Sequence, residues 1–338
     1  MATAPHGRRR MEDVARRAGV SPMTVSRALR SPDKVAPATR ARIASAIAEL
    51  DYVPDLIASG LAAKHSQLVA VIVSTLEQSI FASTIEGLTT VLGTAGYAVL
   101  LGSSNYSGEV EETLVRAMLG RRPDGLMLTG DMHTAAARRL LRASGVPVVE
   151  TWELPEEPID LAVGFSNRAA GRAMVEALHG MGYRRIALVG SGDDADRRAQ
   201  LRRLGYRQAL ETLGSGPPRE VILPGSAAGI TQGPQVLQML RREQPDADAV
   251  FCIVDSLAAG LLLACRRAGI AVPAELAIAG FGDFEIAQPA ALDLTTVRVS
   301  GREIGRLAGE ILLTRMTGQP VAPAVRDVGF SIVRRSSA

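Results

Sequence analysis

The run Ser21-Pro22-Met23-Thr24-Val25-Ser26-Arg27 sets three hydroxyls and a guanidinium at the start of an apolar-periodic segment. Hydroxyls and N–H groups at a helix start suit phosphates, and an arginine fork suits the acceptor edge of guanine. Ser21, Thr24 and Ser26 are therefore candidate phosphate contacts and Arg27 a candidate base contact. A second phosphate-like signal, Gly190-Ser191-Gly192-Asp193-Asp194-Ala195, follows the apolar run RIALVG and resembles a dinucleotide fingerprint. Asp193, Asp194 and Asp196 would crowd negative charge where a pyrophosphate needs helix N–H groups, so nucleotide binding is rejected there. Four scattered histidines (His6, His65, His133, His179) and two cysteines (Cys252, Cys265) offer no metal-ligand spacing and no disulfide scaffold. No metal or cofactor is expected.

The elements that must position these residues follow from periodicity. Met11–Ala18 puts Val14, Ala15 and Ala18 on one face, and Gly19 ends it. Ser21 caps the next helix with Pro22 at its first position, and Val25 and Leu29 are expected as its buried edge. A third helix is expected over about 37–50, with Ile43, Ala46, Ile47 and Leu50 as its stripe. Three short helices with a tight glycine turn between the first two describe a helix-turn-helix. Residues 55–67 form a small-residue connector. From residue 68, apolar runs (68–74, 98–102, 125–130, 146–150, 185–190, 249–254, 276–281) alternate with amphipathic stretches. That pattern indicates parallel sheets covered on both faces, and the length calls for two α/β lobes.

Composition bounds the classes. The chain has 338 residues, 47% hydrophobic and 22% charged, which excludes wholesale disorder. Aromatics at 4% leave little for an extended base-stacking platform. No apolar run reaches the ~20 residues a membrane helix needs, and the first residues lack a signal-peptide core, so a cytoplasmic protein with no membrane partner is expected. Residues 1–65 hold 11 Lys/Arg against six Asp/Glu, a balance of +5, while the rest is −2. A basic head on a near-neutral body points to a polyanion partner for the head alone.

The run Ala15-Arg16-Arg17-Ala18-Gly19-Val20-Ser21 through Thr24-Val25-Ser26-Arg27-Ala28-Leu29, then Thr39-Arg40-Ala41-Arg42-Ile43 and Leu50-Asp51-Tyr52-Val53-Pro54, resembles the lactose-repressor (LacI) family of bacterial transcription regulators. The resemblance extends over residues 11–335. It implies a helix-turn-helix headpiece (11–54), a hinge segment (55–67) and a two-lobed periplasmic-binding-protein-like sensor domain (68–335). The amino lobe would take about 68–165 plus 298–325, and the carboxyl lobe about 166–295 plus 326–335. It also implies operator DNA and a small-molecule effector as partners, a homodimer, and no catalysis. The chain's end soon after the last expected strand, without a heptad helix, favours a dimer over a zipper-linked tetramer.

Family base-reading positions fall here on Pro22, Met23 and Arg27. Proline lacks a donor, so Pro22 implies shape readout or apolar contact, such as with a thymine methyl. The family's hinge leucine, which wedges into the minor groove, matches Leu61, with Lys64 beside it. In the sensor domain the resemblance assigns Phe81 and Trp152 to aromatic packing on the effector. Arg202 would grip an anionic group, with neighbouring Arg197 and Arg198 adding positive charge, and Asp255 and Asp283 would accept sugar hydroxyls. Gly282 stands where the family usually has Asp, which weakens the last assignment. The stretches Val163–Asn167 and Gly280–Glu285 resemble the gluconate-utilisation branch, so a sugar acid such as gluconate is the expected effector. Two other classes compete: a periplasmic-type binding protein without DNA binding, and an α/β enzyme, for which no nucleophile–base pair can be placed.

Overall fold

A computed structural model describes residues 9–53, 65–76, 79–192, 196–224 and 229–338. The chain divides into two compact units, Met1–Ser66 and Gln67–Ala338.

Among its described residues the first unit is built on three α-helices, Met11–Ala18, Pro22–Arg30 and Pro37–Glu49. Gly19 ends the first in the left-handed region (φ 64°), where a Cβ would be strained. The hydroxyl of Ser21 accepts the Thr24 N–H at 3.2 Å, and Pro22 takes the first helical position, where its missing N–H costs nothing. Val14, Ala15, Ala18, Val25, Ala28, Ile43, Ala46 and Tyr52 make the core. One expectation fails: Leu29 is 39% exposed, whereas Ser26 and Ala28 are buried. The second helix meets its neighbours through the i, i+3 pair Val25 and Ala28, because small side chains there allow closer approach than a leucine would.

The second unit holds two six-stranded sheets. The first is ordered β11-β5-β4-β3-β1-β2, with β1 Leu68–Val73, β2 Ala98–Ser103, β3 Gly125–Thr129, β4 Val148–Thr151, β5 Leu161–Gly164 and β11 Val325–Asp327. The second runs β12-β10-β9-β8-β6-β7, with β6 Ile186–Ser191, β7 Arg219–Leu223, β8 Ala249–Cys252, β9 Ala277–Gly282, β10 Thr295–Arg298 and β12 Ser331–Val333. All pairings are parallel except β10 with β12. Each sheet thus repeats one doubly wound strand order and gains a last strand from the chain's final segment. This is a duplication of topology that leaves no visible sequence repeat.

The chain passes between the lobes three times: between β5 and the Asn167–Gly180 helix, between β10 and the Gly301–Met316 helix, and between β11 and β12. The last two crossings fall after Arg298 and after Asp327, slightly later than the expected 295 and 325. In both lobes a pair of helices packs through reciprocal glycines. A methyl at Gly87 would lie 2.2 Å from the Arg302 carbonyl oxygen, and one at Gly305 would lie 1.9 Å from that of Thr84. Likewise a methyl at Gly171 would lie 2.3 Å from the Arg202 carbonyl oxygen, and one at Gly205 2.0 Å from that of Arg168. These contacts bring the Arg197–Leu213 helix, which carries both candidate arginines, hard against the Asn167–Gly180 helix. Among the described residues no helix is long and apolar enough to cross a membrane.

Candidate functional site

In the helical unit Pro22, Met23 and Arg27 are exposed on the second helix, with Met23 68% accessible. Met23 therefore presents an apolar side chain on the outer face of this helix. Ser21 and Thr24 join their hydroxyls at 2.9 Å beside the helix start. Ser26 is turned inward, so it presents little to a ligand. Leu61 and Lys64 lie outside the described residues.

In the two-lobed unit the carboxyl ends of the strands close on two small adjoining cavities. The first, about 40 Å³, is walled by Ile80, Phe81, Tyr106, Trp152, Asp196, Arg198, Arg202, Ile253, Val254, Phe281 and Phe284. The second, about 50 Å³, shares Tyr106, Asp196 and Arg198 and is lined further by Ser74, Ser104, Thr129, Asp131 and Arg197. Five of the six phenylalanines and the sole tryptophan gather here or at the crossings. Trp152 stands edge-on to Phe81 at 5.6 Å and to Phe165 at 6.0 Å, and Phe165 stacks on Phe281 at 6.1 Å.

The two arginines are held by the same walls. The Arg198 guanidinium lies 5.1 Å from the Phe81 ring centre and donates to the Ser74 hydroxyl at 3.1 Å. Arg202 lies 4.4 Å over Phe281 and donates to Asn167 Oδ1 at 2.7 Å. Asn167 Nδ2 in turn donates to the Trp152 carbonyl and to Glu153 Oε2, each at 2.9 Å. That polar chain supports Trp152 in a positive-φ conformation (74°), a strain of about 1–3 kcal/mol for a bulky residue. Burial pulls the Arg202 pKa down and pushes that of Tyr106 up. Five buried polar atoms around the two cavities lack a hydrogen-bond partner among the described residues: Arg197 Nε, Arg198 Nη1, Arg202 Nε, Thr129 Oγ1 and Asp131 Oδ1. Each such group costs about 1–3 kcal/mol when left unpaired, and together they offer donors to an anion and acceptors to hydroxyls.

Two candidate acceptors stand elsewhere. Asp255 is fully buried behind the cavity wall, accepting from Thr296 Oγ1 at 2.6 Å and from the Phe284 N–H at 2.8 Å. Burial pushes its pKa up to about 6. Asp283 turns away from the cavities to meet Arg298 and Arg335. Burial alone would raise its pKa, but the two guanidiniums outweigh it and hold the carboxyl below its ordinary range. Neither carboxylate lines the cavities, because both are consumed in fixing the loop that carries Phe284.

Sequence reasoning missed Tyr106, Thr129, Asp131, Asn167 and Phe284 as parts of this wall. Their common signal is position at or just past strand ends, where such folds bind ligands. It also missed His133, whose side chain is fully buried. Its Nδ1 lies 2.6 Å from Glu111, and its Nε2 makes an ionic contact with Glu150 at 3.3 Å without hydrogen-bond geometry. Burial opposes the charge, yet the two carboxylates raise the imidazole pKa to about 9.

Comparison with known proteins gives this arrangement its relatives. Residues 10–55 match the family described as bacterial regulatory proteins, lacI family, and residues 175–338 match the periplasmic binding protein-like domain. The chain is 38% identical to the HTH-type transcriptional regulator GntR of Pseudomonas aeruginosa, over 99% of this chain and 97% of that one. It is 35% identical to the regulator of the same name from Escherichia coli K12, over 95% and 96%. Among solved structures, a LacI-family transcriptional regulator from Silicibacter pomeroyi superposes with a TM-score of 0.91 at 34% identity, covering 97% of this chain and 99% of that one. The lac repressor dimer bound to operator and the anti-inducer ONPF superposes at 0.82 with 26% identity, over 98% and 99%. With the basic helix-turn-helix unit and the two-lobed cleft in place, the chain belongs to the LacI family of DNA-binding transcriptional regulators.

Proposed function

We propose that the protein is a repressor that binds a palindromic operator as a homodimer and is controlled by a sugar acid such as gluconate. The observation that carries the effector half is that N–H groups of Arg197, Arg198 and Arg202, and nearby oxygens of Thr129 and Asp131, have no partner among the described residues. A polyhydroxy carboxylate satisfies both: its carboxylate takes the guanidinium donors and its hydroxyls donate to the oxygens. Phe81 and Trp152 pack on its carbon chain. Asp255 and Asp283 act from behind, by fixing the Phe284 loop.

Residues of both lobes line the first cavity, Phe81 and Trp152 from one and Arg202 and Phe281 from the other, so an effector there touches both. Effector affinity is thereby linked to lobe pose, and the effector shifts operator binding only by its differential affinity for the two poses. On the DNA side, Arg27 reads a guanine, Pro22 and Met23 make apolar base contacts, and Ser21 and Thr24 position the phosphates. Ser26 contributes through packing. Leu61 and Lys64 serve the minor groove. The relatives' names support a cytoplasmic regulator and not an enzyme.

A thermal-shift screen of the purified protein against sugars, sugar acids, their phosphates and purines tests the effector. At about 100 times its dissociation constant a ligand stabilises the native state by about 2.7 kcal/mol. A response confined to gluconate-like acids supports the reading; a response to purines or neutral sugars alone overturns the effector class.

A further inference from the structure

The loop after β9 has an unusual construction for a cavity wall. Gly282 sits at φ 125° and Asp283 at φ 56°, and a methyl at Gly282 would lie 2.2 Å from the Phe284 ring. The ring therefore folds back over the glycine and fills the place a side chain there would take, which is how Phe284 reaches the cavity. Such a backbone persists only when its surroundings hold it. Three groups do so. Asp255 accepts the Phe284 N–H at 2.8 Å, Arg298 Nε donates to Asp283 Oδ2 at 2.5 Å, and Arg335 Nη2 approaches Asp283 Oδ1 at 2.7 Å.

The two arginines differ in what they connect. Arg335 is buried and pinned by further bonds to the carbonyls of Ala287 and Leu294, so it ties the loop to its own lobe. Arg298 is the last residue of β10, paired in register with Gly282. Three residues later Gly301 begins the Gly301–Met316 helix, which packs against the amino lobe. Arg298 therefore stands where the chain leaves one lobe for the other. Its bond to Asp283 joins the cleft wall to that crossing.

We propose that Asp283, Arg298 and Arg335 form a latch in which Arg298 is a positioning residue, coupling the Phe284 wall of the cleft to the inter-lobe crossing after β10. Displacement of Phe284 by an entering ligand is transmitted through Asp283 to Arg298 and so to the segment that sets lobe pose. The latch explains why Asp283 is charged yet turned from the cavity. Its signalling consequence rests on the effector reading above, whereas the mechanical coupling does not.

Hydrogen exchange on the full-length protein and on Arg298→Gln tests the coupling without any ligand. Asp283 keeps Arg335 in this variant, and Arg298 is half-exposed, so the fold survives. The reporters are the amides of Phe284 and Ala287 in the wall and of Glu303 and Ile304 beyond the crossing, all hydrogen-bonded. Both pairs should exchange faster by a common factor of about two to five, the range expected for a half-exposed ion pair. The β8 amides, from Ala249 to Cys252, should not change. Acceleration of the wall alone, or of neither pair, overturns the latch, and Arg298→Lys should restore most of the protection.

A second arm uses D-gluconate as the probe. The variant should bind it within about threefold of the wild type, while gluconate's effect on operator affinity shrinks. An undiminished effect in the variant overturns the signalling role. A wild type that ignores gluconate counts against the effector reading, and the exchange result then decides the latch by itself.

Discussion

Gly205→Ala adds one methyl at the tightest point between the two helices that build the arginine side of the cleft. That methyl would lie 2.0 Å from the Arg168 carbonyl oxygen and 2.7 Å from the Arg172 nitrogen, both backbone atoms that cannot rotate away. Ordinary contact requires about 3.4 Å, so the Arg197–Leu213 helix must retreat by roughly 1 Å from the Asn167–Gly180 helix. Overpacking of this kind costs about 1–3 kcal/mol. For a unit of this size each kcal/mol lowers Tm by about 2–4 °C, giving a loss of about 2–12 °C. The same retreat carries Arg202 from its 2.7 Å bond with Asn167, so the effector-induced Tm shift should shrink as well. Gly93→Ala is the control, because a methyl there meets nothing within 4 Å and the position is helical. It should stabilise the protein by about 0.5–1 kcal/mol. Calorimetry of the three proteins, with and without gluconate, makes the comparison. If Gly205→Ala melts within 1 °C of the wild type, or no lower than Gly93→Ala, the close-packing argument is wrong.

Three other outcomes are expected. His133→Ala leaves Glu111 buried without its cation and Glu150 with only the longer 3.7 Å contact to Arg138, and should cost roughly 3–5 kcal/mol at neutral pH, read by denaturant unfolding. Because the folded-state pKa, about 9, exceeds the unfolded value near 6.5, the imidazolium's contribution is complete below about pH 6.5 and lost as pH rises through 9; a gap between wild type and variant that does not narrow over that window refutes the assignment. Arg202→Ala should abolish the effector's influence on operator binding while leaving effector-free operator affinity within about twofold, since the residue lies wholly in the cleft; an unchanged effector dose curve in gel shift refutes it. Arg27→Ala should lose roughly 1–3 kcal/mol on operator and much less on random duplex, and equal losses in a fluorescence-anisotropy titration would reassign Arg27 to phosphate.

Much of the DNA-binding half was legible in the chain. The Ser21 cap, Pro22 at the first helical position and the left-handed Gly19 are local devices, each fixed by a residue's own stereochemistry within three or four positions. Strands that are near-continuous apolar runs were legible for the same reason. β5, β7, β10, β11 and β12 were not, β5 being only four residues long and the others short and partly polar; their extended form comes from pairing with neighbours distant in the sequence. Leu29 shows the limit of periodicity: two residues flank the ideal position, and the helix that receives them chooses the smaller.

By itself, then, the sequence determined the order of elements, the basic head, the α/β body and which side chains had chemistry to offer. Tertiary structure decided which of them use it in the cleft. Arg198 and Arg202 arrive there because paired glycines let two helix backbones touch, a contact between residues more than thirty positions apart. Asp255 and Asp283 have the same carboxylate as any cleft acceptor, but Thr296, Arg298 and Arg335 reach them first. A carboxylate's reactivity is a property of the residue, whereas its partner is a property of three-dimensional proximity, which no local pattern encodes.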